Sequence, residues 1–245
     1  MIKSYFLMSC TTQMRFKIIT LFPEIFPGAL KYSITGRALA NANFNIETID
    51  IRNFSDDKHK TVDDKPFGGG PGMILKADSL QKSLESINKK KNQKIISLSP
   101  SGKLMNQKFL KKIINFDEII LICGRYEGID QRFIDFNDIE EVSLGDYIIS
   151  GGELAAFIII DACVRLIPEV LGNEKSLNEE SFNKNLLEYP QYTKPSIWRK
   201  LNVPEILLSG DHKKISEWRR KKSIEKTKKT RPDLWKLYKG NESEN

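Results

Sequence analysis

Apolar residues in this chain come in short β-branched runs separated by stretches with helical spacing. RFKIITLF (residues 15–22) reads as a buried strand stopped by Pro23. PEIFPGALKYSITGRALANA (23–42) has helical character, in two pieces because Pro27 and Gly28 interrupt it. FNIETIDI (44–51), KIISLS (94–99) and EIILICG (118–124) read as further strands, with a helix over 106–115 joining the last two. EEVSLGDYIIS (140–150) reads as one more strand, or two, around Gly145. GELAAFIIIDACVRLI (152–167) follows as a core helix, ended by Ile167-Pro168. Strands alternating with helices imply an α/β unit with a mainly parallel sheet.

Past Gly172 the pattern changes. GNEKSLNEESFNKN (172–185) is polar without clean periodicity and reads as a linker. Beyond it, DHKKISEWRRKKSIEKTKK (211–229) and RPDLWKLYK (231–239) read as basic helices, with Ile215 and Trp218 on an apolar side. Charge sharpens this division. Of 39 Lys+Arg and 32 Asp+Glu, 15 basic and 5 acidic residues lie between positions 194 and 239, leaving 24 basic and 27 acidic elsewhere. All the excess positive charge lies in the C-terminal fifth, which points to a polyanionic partner such as nucleic acid.

The remaining bulk features exclude more than they identify. At 245 residues, 40% apolar and 29% charged, the chain suits one large domain or a medium domain with a smaller one. Cys10, Cys123 and Cys163 form no CxxC pair, which argues against a disulfide scaffold and for a reducing, cytoplasmic compartment. His59 and His212 lack zinc-type spacing. The most apolar stretch, residues 154–167, carries Asp161 and Arg165 and falls short of the about 20 residues a membrane span needs. Residues 1–13 lack a secretory apolar core and read as an extension or a misplaced start, because Met14 opens the first strand.

Glycine-rich turns follow several strands: KPFGGGPGM (65–73), SPSG (99–102), CGRYEG (123–128) and SLGDYIISGGE (143–153). None is a standard nucleotide cradle. A GxGxxG match from Gly68 fails at Met73, and the P-loop pattern fails around SPSGKL, where Leu104 follows Gly102-Lys103. Ligands of open α/β sheets bind beyond the carboxyl ends of strands. Four glycine turns at that edge would let backbone groups meet a ligand directly.

FPEIF, SITGRAL, TVDDKPFGGGPGM, LSPSGK, LICGRYEGIDQR, SLGDYIISGGELAA, RLIPEVLGNE, YPQYTKP and VPEILLSGDH occur in the order found in bacterial tRNA (guanine-N1)-methyltransferases of the TrmD type, and the chain resembles that family from about Phe22 to Pro232. The resemblance implies a SPOUT methyltransferase: a parallel-sheet α/β domain over 14–171 with a C-terminal trefoil knot, a linker over 172–190, and a small basic helical tRNA-binding domain over 191–245. It also implies S-adenosylmethionine in the knot, help from Mg²⁺ at a site no ligand set here predicts, and a homodimer with its active site between subunits. The expected reaction is methyl transfer to N1 of the guanine at tRNA position 37.

Carried over by motif, the cofactor pocket comprises Gly124, Leu144, Gly145, Asp146, Tyr147, Ile148 and Ile149, with Ser97, Leu98, Ser99 and Pro100 as another wall and Tyr126, Glu127, Gly151 and Gly152 nearby. Gly70, Pro71 and Gly72 would face the guanine and hold no phosphate. Arg219, Arg220, Lys221 and Lys222 would contact tRNA phosphates. Trp218 reads as core, and His212 as a helix-start residue after Ser209, Gly210 and Asp211.

Arg165 matches the family's functional arginine, placed to stabilise charge on guanine O6. The family's general base is an aspartate in a segment like EDSF. Here that segment reads NEESF, so the matching residue is Glu180, with Glu179 beside it. Glutamate keeps the chemistry but reaches one methylene further. That departure leaves a catalytically weak or inactive RNA-binding homologue as the alternative expectation.

Overall fold

The computed structural model describes residues 13–172 and 180–243. The chain divides into two compact units, Met1–Leu171 and Gly172–Asn245.

The first unit is built on a five-stranded parallel sheet. In chain order its elements are β1 (Met14–Thr20), α1 (Ser33–Ala40), β2 (Phe44–Asp50), β3 (Asp63–Asp64), β4 (Ile74–Leu75), α2 (Ala77–Glu85), β5 (Gln93–Leu104), α3 (Gln107–Ile113), β6 (Glu118–Cys123), α4 (Gln131–Phe136), β7 (Glu140–Ser143) and α5 (Gly152–Val164). The strand order is β2-β1-β6-β5-β7, while β3 and β4 form a separate antiparallel pair. A parallel sheet needs apolar cover on both faces. β6 supplies it by alternation: Ile119, Leu121 and Cys123 enter one core with Phe16, Ile18, Leu110, Ile159 and Ile160, whereas Ile120 and Ile122 enter the other with Ile19, Leu21, Leu80 and Phe133. The near-continuous apolar run at 118–124 is the signature of that central place.

Three expectations change in detail. The helical reading of 23–42 resolves into two short 3-10 turns, Pro23–Ile25 and Gly28–Lys31, before α1. Pro23 and Pro27 donate no backbone hydrogen bond, so a continuous helix cannot form there. β7 ends at Ser143, and 144–151 is irregular. The Ser143 hydroxyl accepts from the Gly145 N–H at 3.2 Å, a local bond that diverts the backbone from the sheet ladder. β5 continues to Leu104 and pairs β7 twice, at Ile96–Leu98 and again at Lys103 and Leu104, with a register break between.

The second unit begins, among described residues, with a 3-10 turn at Asn183–Asn185 and a hairpin of β8 (Ile197–Trp198) and β9 (Leu201–Asn202). A 3-10 turn at Glu205–Leu208 leads into α6 (His212–Thr230) and α7 (Pro232–Ser243), the two basic helices expected. Asp211 caps α6 by accepting from the Lys214 N–H at 3.1 Å, and that bond holds its carboxyl below the usual range. His212 is the first helical residue. Pro232 opens α7, where its missing N–H leaves nothing unsatisfied. Buried Thr227 accepts from the Leu187 N–H at 2.8 Å and donates to the Ser223 carbonyl at 2.7 Å, so residue 187, expected in the linker, is pinned to α6. No helix of the described residues is long and apolar enough to cross a membrane.

Replacing Leu121, fully buried at the centre of the sheet, by alanine should destabilise the first unit by about 2–5 kcal/mol in urea unfolding followed by circular dichroism. A loss below about 1 kcal/mol would contradict the two-sided core.

Candidate active site

A cavity of about 370 Å³ opens at the register break of β5, the carboxyl ends of β6 and β7 and the start of α5. Residues 97–101, 124–129, 141–145 and 147–152 form most of its wall, with Gln131, Ile134 and Ala155 completing it. Three glycine turns that lie far apart in sequence therefore converge on one space. Of the fifteen residues expected at a cofactor, all line this cavity except Asp146, which is exposed on the same loop.

One buried charge ties the wall together. Glu153 is 1% exposed in the first turn of α5, and both its oxygens are used. Oε1 accepts from Thr20 Oγ1 at 2.7 Å, and Oε2 accepts from Arg125 Nε at 2.9 Å. Arg125 also donates to the Ser150 carbonyl at 3.1 Å and lies 4.5 Å over the Phe22 ring. The end of β1, the turn after β6 and the turn before α5 are thus joined through one carboxylate. A buried charge is tolerable only with such partners. The turn before α5 is also pressed against β6: a Cβ at Gly152 would lie 2.6 Å from the Cys123 Cα, and the Gly152 N–H donates to the Gly124 carbonyl at 2.9 Å. Only glycine fits there.

The glycine loop at 65–73 is the turn of the β3–β4 hairpin. It stands beside the cavity because the Glu127 N–H donates to the Met73 carbonyl at 3.0 Å and the Leu75 N–H to the Gly128 carbonyl at 3.0 Å. Gly72 has φ +86°, with no room for a Cβ beside the Glu127 side chain. Gly70, Pro71 and Gly72 are exposed at this turn, and Phe67 at its tip is 99% exposed.

Electrostatically the cavity suits a cation. Among the described residues Arg125 is the sole cationic side chain of the lining, and Glu153 neutralises it, while Glu127 and Glu141 add carboxylates. Leu98, Leu144, Ile148 and Ile149 give an apolar wall. The thiol of Cys123, at the end of β6, is pushed well up by burial, and that of Cys163 to about 12 by the same cause, so neither is a nucleophile. Among the described residues there is no group of three or more His, Cys, Asp and Glu that could hold a metal ion.

The other expected residues lie elsewhere. Arg165 directly follows α5, at the helix end opposite the cavity, and is half-buried. Glu180 is half-buried in the second unit, and Glu179 lies outside the described residues. On α6, Arg220 and Lys221 are exposed, Lys222 pairs with Glu225 at 2.7 Å, and Arg219 lies over the Tyr189 ring at 4.7 Å. Trp218 is half-buried with its ring centroid 6.4 Å from that of Tyr192. Sequence reasoning missed Arg125 and Glu153 as a pair. The signal was a carboxylate in the first turn of a mostly apolar helix and, 28 residues earlier, an arginine inside the CGRYEG glycine motif.

Residues 14–237 match the family model for tRNA (Guanine-1)-methyltransferase TrmD. The chain belongs to this family. It is 54% identical over 219 residues to a tRNA (guanine-N(1)-)-methyltransferase of Ehrlichia canis (strain Jake), covering 89% of this chain and 93% of that protein. To proteins of the same name it is 53% identical over 225 residues in Pelagibacter ubique (92% and 98% covered), and 51% over 220 residues in Wolbachia pipientis wMel (89% and 93%). Family membership spans both units and every glycine turn of the cavity.

Glu153→Gln should lower stability by about 2–3 kcal/mol, since it removes a charge-assisted bond and unbalances Arg125 in a buried place. Asp56→Asn, breaking the exposed Lys82–Asp56 pair, should change it by less than about 0.5 kcal/mol. Equal losses in thermal unfolding would remove the special place given to Glu153.

Proposed function

We propose that this methyltransferase takes its methyl group from S-adenosylmethionine and places it on N1 of the guanine at tRNA position 37, next to the anticodon. The observation that carries this reading is the convergence of residues 97–101, 124–129 and 143–152 on one cavity whose charge balance is acidic. S-adenosylmethionine supplies an electrophilic methyl on a positively charged sulfur, and a carboxylate-bearing, part-apolar cavity tolerates that charge better than a basic one. Backbone groups of the glycine turns would read the adenine, with Leu144, Ile148 and Ile149 against its faces. Asp146, exposed on that loop, would reach the cofactor only if the loop closes over it.

Guanine N1 is nucleophilic once its proton is lost. Glu180 takes that proton as general base, and the Arg165 guanidinium stabilises the charge that develops on O6. Gly70, Pro71 and Gly72 bring backbone close to the guanine, and the α6 cations Arg219 to Lys222 hold the phosphates.

Helix length supports a homodimer. The cavity is at the first residues of α5, and Arg165 follows its thirteenth. At about 1.5 Å per residue the two ends are about 20 Å apart, further than an arginine side chain reaches. For Arg165 to act at a cavity, that cavity must belong to a second copy. Leu154 and Ile158, one turn apart on α5, are exposed in the single chain and would be covered by such an interface. The same reading includes the trefoil knot, at the part of the sheet where β5 pairs β7 on both sides of its break and 144–152 returns to the cavity. It places the protein in the cytoplasm with its tRNA. No observation favours the non-catalytic alternative.

Labelled-methyl transfer to a tRNA carrying G36-G37 should fall by about 10²-fold or more in Glu180→Gln and change little in Glu179→Gln. Near-normal turnover in the first would refute the base assignment. Coexpressed Arg165→Ala and Ile148→Asp chains, each inactive alone, should together regain roughly a quarter of wild-type activity, because half of randomly mixed dimers carry one intact site. No recovery would contradict the shared site.

A further inference from the structure

The stretch YPQYTKPSIWRKLNVP (189–204) contains three cations, Lys194, Arg199 and Lys200, and no carboxylate. Residues 191–202 are all exposed. Within it β8 and β9 pair Ile197 with Asn202 and Trp198 with Leu201, leaving Arg199 and Lys200 as a two-residue turn. Both have left-handed backbone, with φ 47° and 67°. A hairpin turn of this kind selects asparagine and glycine, because a Cβ is disfavoured at positive φ. Two long cationic side chains occupy it instead. Beside them Trp198 is 57% exposed, with the Arg199 guanidinium 5.0 Å over its ring.

An indole held in solvent and rimmed by cations on a locally strained turn has the parts of a single-strand RNA contact: a stacking face and neighbouring positive charge. We propose that the Trp198-Arg199-Lys200 tip is an RNA-contact element additional to α6, with Trp198 stacking on an unpaired base and Arg199 and Lys200 meeting the flanking phosphates. This rests on the tRNA-methyltransferase reading above. A protein partner for the apolar residues Ile197, Trp198 and Leu201 is disfavoured by the lack of any carboxylate in the stretch, since a polyanion satisfies both the cations and the ring.

Binding of an unmodified tRNA transcript to the full-length protein, by fluorescence anisotropy at several salt concentrations, tests this. Trp198→Ala should weaken binding about tenfold. Arg199→Gln/Lys200→Gln should reduce the slope of log affinity against log salt by about 1–2. Lys200→Gly separates binding from folding: it gives the turn a residue it prefers, so the thermal midpoint should hold or rise while RNA affinity falls. Unchanged affinity in Trp198→Ala or in Lys200→Gly overturns the proposal. So does a Trp198→Ala protein that binds RNA normally but changes its sedimentation from dimer to monomer, which would make the tip a protein interface. Wild-type protein that fails to bind the transcript overturns the tRNA reading itself, a result distinct from normal wild-type binding with unaffected variants.

Discussion

Glu153 is a carboxylate buried inside the protein, and the cavity depends on how its two oxygens are satisfied. Its position is dictated by α5, whose first turn must pack on the end of β6 through Gly152. Once there, the carboxylate needs donors on both oxygens, and Thr20 from β1 and Arg125 from the turn after β6 provide them. Arg125 in turn holds the Ser150 carbonyl. Two glycine-bearing turns, after β6 and before α5, are thereby fixed to each other and to the end of β1. The same pairing neutralises Arg125, the sole cation of the lining among the described residues.

This arrangement divides labour between backbone and side chains. Glycine turns bring main-chain groups to a ligand, so they specify shape without acid or base chemistry. The proton transfer and charge stabilisation of the proposed reaction must then come from elsewhere, and Arg165 and Glu180 are both outside the cavity lining. In the proposed reading a second copy bridges that separation, with α5 as the spacer between the cavity it lines and the arginine that follows it.

Much of this was legible in the residues. The short apolar, β-branched runs at 15–22 and 118–124 identified buried strands, and both lie in the central sheet. Of the four glycine-bearing segments, three contribute to one cavity wall, while 99–102 proves to lie within β5 and 65–73 stands beside the cavity. What was not legible follows from contacts distant in sequence. The strand expected through 150 stops at Ser143 because a hydroxyl takes up the Gly145 amide. Glu153 and Thr20 are 133 residues apart, and nothing local in either reports the other. The motifs themselves, rather than periodicity, carried the family.

The central claim is a defined chemical outcome at one atom. Incubation of the purified protein with S-adenosylmethionine and a tRNA transcript, followed by nuclease digestion and mass spectrometry, measures it directly. The account predicts one methyl group per transcript, recovered as 1-methylguanosine from position 37 and absent when that guanine is replaced by adenine. Methylation at another atom or position, or none with the cofactor demonstrably bound, would contradict it.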